Sequence, residues 1–316
     1  MNAVDKQDAA ISAAAAETVT GEKSPTPQIP AARDGSDPTV AVAFGGGGAR
    51  GLAHIHVIEA LDDLGLKPRA IAGSSIGALM GAGMAAGMSG KEIREHTLAT
   101  LGSPTTAIAH FWKARPQTMR AAVEGGWRLG QFNIERIVGA FLPEQVPARF
   151  EDLQIPTKII ITDYFDHCEC VCETGDLKNA IAASAAIPAV FRPVERDGRI
   201  YVDGGIYNPV PFDHLAGLAD IVVGIDVVGL PAGGPGEKLT TVDLMFGSSQ
   251  LMMQSIIELR RKAAPPHIFL RPEVHQFRVL DFLKAREILE ASKEIGEQLK
   301  RDIDAAFAFR RSAGTD

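Results

Sequence analysis

The sequence predicts an α/β protein, with a largely parallel central sheet and helices on both of its faces, three layers in all. Short β-rich runs alternate with helical patterns from residue 39 onward. Two of those runs end abruptly in glycine and pass straight into a helix. The chain of 316 residues is 46% apolar, enough material for one large core.

The elements follow in order. Residues 1–38 mix Ala, Ser, Thr, Pro and charges with few large apolar side chains, so they predict a disordered arm. Asp5 and Asp8 and the lack of a continuous apolar segment argue against a secretory signal. "TVAVAF" (39–44) reads as a strand, and "GLAHIHVIEALDDLG" (51–65) as a helix stopped by Gly65. "RAIAG" (69–73) is a second strand, and the small-residue helix 75–88 follows it. Further strands are expected at 157–163, 167–173, 199–203, 221–228 and 267–272, with helices near 133–142, 176–186 and 241–263. The last element is expected to be one long helical extension over 279–311, with Ile288, Ile295, Leu299, Ile303 and Phe307 on one stripe. Without an internal repeat or linker, residues 39–316 read as one domain. The segment 103–130 holds both tryptophans of the chain. It reads either as a helical hairpin burying its aromatics or as a cap over a lipid-binding cleft, with peripheral membrane contact.

Charge and cysteines exclude several classes. A net charge of −7 lacks the basic face that nucleic acid requires, so no nucleic-acid partner is expected. No uninterrupted apolar run is long enough to span a bilayer, and the expected location is cytoplasmic. Cys168, Cys170 and Cys172 alternate along one strand, at the edge of disulfide reach. They read as small apolar side chains on a buried strand face in a reducing compartment, and no metal is expected.

Three motifs carry chemistry. In "AIAGSSIGALMGAG" the pattern G-x-S-x-G is filled once, by Gly73, Ser75 and Gly77; Ser74 would need a glycine at 72, which is alanine. Such a frame places the serine on a sharp strand-to-helix turn, with the helix N-terminus favouring a developing anion. "FGGGGARG" supplies Gly46, Gly48 and Gly51 in a G-x-G-x-x-G frame. A dinucleotide site would need an acid after the second strand, where Ser74 and Ser75 stand instead. Bare amides forming an oxyanion hole are the alternative use, with Arg50 adding positive potential. In "YVDGGIYNPVP" Asp203 ends a strand, ahead of Gly204 and Gly205. An aspartate serves as a base only if burial raises its proton affinity. A Ser–Asp–His order would instead point to His214, His267 or His275, and the residues alone leave that triad open.

Taken as an ordered set, these motifs resemble the patatin-like phospholipase family. The match comprises the glycine loop at 46–51, G-x-S-x-G at 73–77, "AASAAIPAVFRPV" (182–194), and D-G-G at 203–205 continuing into Asn208 and Pro209, covering about residues 40–215. The resemblance implies a patatin-like three-layer fold and a dyad of Ser75 as nucleophile with Asp203 as base. It also implies an oxyanion hole from the amides of Gly46, Gly47 and Gly48, and hydrolysis of lipid esters without a metal or other cofactor. His56 stands where many bacterial members carry a small residue, and the cysteine strand has no catalytic counterpart. An acyltransferase on the same dyad and a non-catalytic nucleotide-binding protein are the rival functions.

Overall fold

Strand β1 (Val40–Phe44) sets the layering by simple alternation. Val40, Val42 and Phe44 point into one core, while Ala41 and Ala43 point into a second, smaller one. A computed structural model describes residues 38–101, 132–231, 234, 236 and 238–313. The segment 103–130 and almost all of the expected N-terminal arm lie outside the described residues.

β1 lies between β2 (Ile71–Ser74) and β7 (Ile221–Ile225), parallel to both, and β8 (Ile268–Leu270) continues in parallel beyond β7. On the other side β3 (Thr157–Asp163) runs parallel to β2. The sheet then turns antiparallel. β4 (Cys168–Cys172) and β6 (Arg199–Asp203) both oppose β3, and β5 (Val194–Arg196) closes a hairpin on β6. The chain is thus α/β with a central, mostly parallel sheet.

Among the described residues, the larger core lies under seven helices: α1 (His54–Asp63), α2 (Ile76–Ala85), α3 (Gly90–Leu101), α4 (Ile134–Phe141), α5 (Leu177–Ser184), α7 (Ala285–Ala291) and α8 (Glu294–Ala313). Leu52, Ile55, Ile58 and Leu61 are wholly buried there. The smaller core joins Phe212, Leu215 and Ile257 of α6 (Thr241–Ala263) to the alanine side of the sheet. α6 starts at a capping box in which Thr240 and Asp243 satisfy each other's backbone N–H groups.

Several boundaries differ from the sequence reading. The helix expected over 279–311 is two helices, α7 and α8, broken at Ser292. There the hydroxyl donates to the Ile288 carbonyl at 2.7 Å, competing with the helical pattern. Residues 279–281 are not helical, and the Val279 carbonyl accepts from the Ala49 amide at 2.8 Å. The strand expected to reach 228 ends at Ile225, because Asp226 folds its carboxylate onto the Val228 amide at 2.9 Å. α3 and β5 were not anticipated. The inner side of α3 contains Thr97 and Thr100 beside Ile93 and Leu101, a poor apolar stripe, and β5 has only three residues.

Two sequence oddities find structural explanations. His56 bridges elements: its Nε2 lies 2.8 Å from the Leu289 carbonyl and its Nδ1 lies 3.1 Å from Arg94. The cysteines are half-buried rather than buried, since β4 packs against only one strand. Burial raises the Cys170 thiol to about 11 and pushes Cys172 up as well, so both stay protonated at neutral pH.

Candidate active site

The site forms where two strands meet tip to tip. Ser74 of β2 pairs with Ile160 of β3, and Asp203 of β6 pairs with the next residue, Ile161. β4 occupies the opposite edge of β3 at both positions, through Val171 and Cys170. β2 and β6 therefore share one edge of β3, run in opposite directions, and end facing each other. Residues 128 apart in sequence are joined in this way: Ser75 Oγ donates to Asp203 Oδ2 at 2.6 Å.

Ser75 occupies a sharp turn between β2 and α2. Its backbone has φ 53° and ψ −123°, a conformation that costs a non-glycine residue on the order of 1–3 kcal/mol. The flanking glycines let the turn close. A Cβ on Gly73 would sit 2.7 Å from the Ala78 Cα, and one on Gly77 would sit 2.1 Å from the Phe44 carbonyl oxygen. Ser184 straps the turn down: its hydroxyl accepts from the Ser75 amide at 2.8 Å and donates to the Ile160 carbonyl at 2.6 Å. The N-terminus of α2 begins at Ile76 and directs its dipole at the serine. Ser74 is fully buried, and its hydroxyl has no partner among the described residues.

Asp203 is held from several sides. Its Oδ1 accepts from the Gly205 amide at 2.8 Å, its backbone N–H donates to the Ala186 carbonyl at 3.1 Å, and its own carbonyl accepts from Thr162 at 2.9 Å. Burial raises its carboxyl to about 6, although the hydrogen bonds from Ser75 and Gly205 pull the other way. A Cβ on Gly204 would meet the Ile160 carbonyl oxygen at 2.0 Å, so only glycine lets the chain pass there.

The glycine loop lies alongside. A Cβ on Gly46 would come within 3.1 Å of the Ser75 Cβ. The Gly46 amide, however, is committed to the Pro209 carbonyl at 2.9 Å. The amides of Gly47 and Gly48 have no acceptor among the described residues, and both glycines line one cavity with Ser75 and Asp203. Arg50 is buried behind the loop, where its Nε donates to the Phe277 carbonyl at 2.8 Å. Burial lowers its guanidinium to about 10, against the pull of Asp226 and Asp281, and it stays charged at neutral pH. Gly51 is packed so tightly that a Cβ would fall 2.2 Å from Ile76 Cγ2.

Two cavities meet at Ser75 and Ile187. One, of about 360 Å³, opens between the glycine loop, Asp203 and α6, where Met245, Phe246, Met252 and Met253 form its wall. The other, of about 140 Å³, is almost wholly apolar and lies among α2, α3 and α4, with Leu79, Ile93, Ile137 and Phe191 on its walls. No sequence signal pointed to Ser184 or to the methionines of α6. Ser184 does fall within the stretch 182–194 that carried the family resemblance.

The histidines weighed for a triad have other work. His214 binds Glu169 at 2.7 Å, and that carboxylate raises its proton affinity. His267 accepts from the Val222 amide at 3.0 Å, and His275 is exposed beside Glu273. Glu169, Asp213 and His214 cluster closely, and Arg260 already pairs with both carboxylates there.

Fold and site together define an α/β protein in which a serine on a strained strand-to-helix turn is hydrogen-bonded directly to a buried aspartate. The patatin-like phospholipase family model matches residues 42–216, more than half of the chain. The chain belongs to the patatin-like phospholipase family. An uncharacterized NTE family protein of Mycobacterium bovis is 36% identical over 216 residues, which is 66% of this chain and 54% of the relative. Patatin-like phospholipase domain-containing protein 6 of Mus musculus is 26% identical over 284 residues, 82% of this chain and 20% of that protein. This chain therefore spans about half the length of the mycobacterial relative and a fifth of the mouse one. Among solved structures, VipD from Legionella pneumophila aligns with a TM-score of 0.44 at 14% identity, covering 86% of this chain and 67% of its own, too loose a match to bear on the chemistry.

Proposed function

We propose that the chain is a serine lipid acyl hydrolase of the phospholipase or lysophospholipase type, working through a Ser75–Asp203 dyad and an acyl-enzyme. The observation that carries this reading is the 2.6 Å hydrogen bond from Ser75 Oγ to Asp203 Oδ2 at a strained turn. Ser75 Oγ attacks the ester carbonyl, and its proton passes to Asp203 Oδ2. The oxyanion is held by the free amides of Gly47 and Gly48, while Gly46 shapes the loop, so the three-amide expectation narrows to two donors. Asp203 then protonates the departing alcohol. In the second half-reaction Asp203 takes a proton from water, which attacks the acyl carbon and releases the fatty acid.

A carboxyl titrating near 6 suits this double duty, because at neutral pH it is mostly ionised yet binds a proton far better than a solvated aspartate. The apolar 140 Å³ cavity suits the acyl chain, and the larger cavity beneath α6 suits the remainder of the lipid. An alkyl fluorophosphonate should label wild-type protein once, at Ser75, and leave Ser75→Ala unlabelled. Absence of labelling in folded wild-type protein would overturn the proposal.

A further inference from the structure

α6 differs from an ordinary surface helix in the face it shows to water. Such a helix buries an apolar stripe and shows charges to water. Here Ile257 is buried in the smaller core, but the inward side also carries polar anchors: Gln250 Nε2 donates to the Val228 and Leu230 carbonyls at 3.0 and 3.2 Å, and Gln254 Nε2 donates to Asp226 at 3.1 Å. The outward side is apolar. Leu244, Leu251 and Leu259 are 54%, 55% and 68% exposed, and Met245 and Met252 lie beside them at 43% and 61%. At helical spacing these five side chains share one arc with Ser248 and Ser255. From Leu244 to Ile257 no residue carries a charge. The stripe is about 22 Å long. Contiguous exposed apolar surface of this kind marks an interaction site.

Its position indicates the partner. Met245 and Met252 belong both to the exposed arc and to the wall of the cavity containing Ser75 and Asp203. Ile206, 42% exposed, lines the same cavity. The exposed apolar arc and the cavity that holds Ser75 and Asp203 thus share two methionine side chains. A lipid surface seated on this arc would meet the cavity at those two methionines.

We propose that α6 is the membrane-docking element, lying in the plane of a lipid surface with Leu244, Leu251 and Leu259 inserted at the acyl boundary. The choice of a lipid surface as partner rests on the proposed lipid hydrolase function. The contact is carried by apolar area, so it should persist in high salt, where purely electrostatic attachment is screened.

The test uses the full chain in a Ser75→Ala background, so that vesicles survive the measurement. Phosphatidylcholine vesicles should co-sediment with the parent protein in low and high salt. Leu251→Asp combined with Leu259→Asp should weaken that partitioning at least tenfold, and Leu251→Trp should preserve or strengthen it. With Ser75 restored, the double aspartate variant should hydrolyse a soluble short-chain ester within twofold of wild type, which also shows that it folds. Vesicle binding unchanged in the double variant would overturn the proposal. So would a parent protein that ignores vesicles and sediments as a dimer dissociated by the same substitutions. If the hydrolase proposal alone is wrong, fluorophosphonate labelling fails while vesicle binding still depends on Leu251 and Leu259.

Discussion

At the tip of β2 the backbone is distorted and the side chain is neutral; at the tip of β6 the backbone is ordinary and the side chain carries the cost. Ser75 has a positive φ, braced by Ser184 and by glycines that a Cβ would drive into neighbouring backbone. Asp203 has φ −47° and ψ 129°, and its difficulty is electrostatic, a carboxylate out of water with two hydrogen bonds to compensate it. Two kinds of stored strain face each other across 2.6 Å. In the proposed dyad one would aim the nucleophile and the other tune the base, so changes at the two tips should fail in different ways.

The largest effects should appear when either tip loses its reacting group. Ser75→Ala should lower kcat/KM for a soluble ester by at least about 10⁴-fold, and Asp203→Asn by about 10²–10⁴-fold. An Asp203→Asn enzyme with near wild-type turnover would remove the aspartate from the mechanism. The pH dependence of wild-type kcat/KM isolates the electrostatic side. Activity should fall about tenfold for each pH step of one below about 6 and stay level just above it, because the proposed base, Asp203, must be ionised.

Ser184→Ala isolates the backbone side. It strips the Ser75 amide and the Ile160 carbonyl of a buried partner and should destabilise the fold by about 1–3 kcal/mol in urea unfolding. Its pH profile should keep the same midpoint, since Asp203 is untouched. Asp203→Asn should move stability in the opposite direction. The folded carboxyl titrates near 6 against an ordinary 3.8, so the native state binds the proton more tightly than the unfolded chain. That contribution is complete below the ordinary value and is lost as pH climbs through 6. Above about pH 7 the asparagine variant should therefore melt higher than wild type by a few degrees, and below about pH 4 the gain should vanish. The smallest change belongs to the histidines. His214→Ala, His267→Ala and His275→Ala should each retain activity within about threefold, and loss of activity in a folded variant would return an imidazole to the mechanism.

The same contrast explains what was legible in the sequence. The β2 tip is local: a strand, G-x-S-x-G and a helix lie within consecutive residues, so spacing alone singles out Ser75. The β6 tip is not. Nothing in "YVDGG" says that β6 lies on the same edge of β3 as β2, and residues alone left Asp203 competing with three histidines. The family resemblance, not spacing, selected it. Alternation of short strands and helices revealed the layered fold, whereas α3 was missed because part of its inner side is threonine. The α7–α8 break was missed because a serine hydroxyl competing for a helix carbonyl does not disturb the apolar stripe. The commitment of the Gly46 amide to Pro209 is a tertiary contact across 163 residues and leaves no local trace.

The tip-to-tip meeting on β3 also dictates when in the life of the chain the pair can exist. Ser75, its strap Ser184 and its partner Asp203 come from widely separated segments, and β3 is the template on which they are assembled. A chain emerging residue by residue presents the elbow serine long before β3, and β6 follows last of the three. Contacts of such long sequence separation form slowly, after the loops between them have closed. Until β6 has docked, Ser75 has no carboxylate beside it and is an ordinary alcohol. For the proposed dyad, chemical competence is therefore a late event in folding, acquired only once β6 has docked on β3.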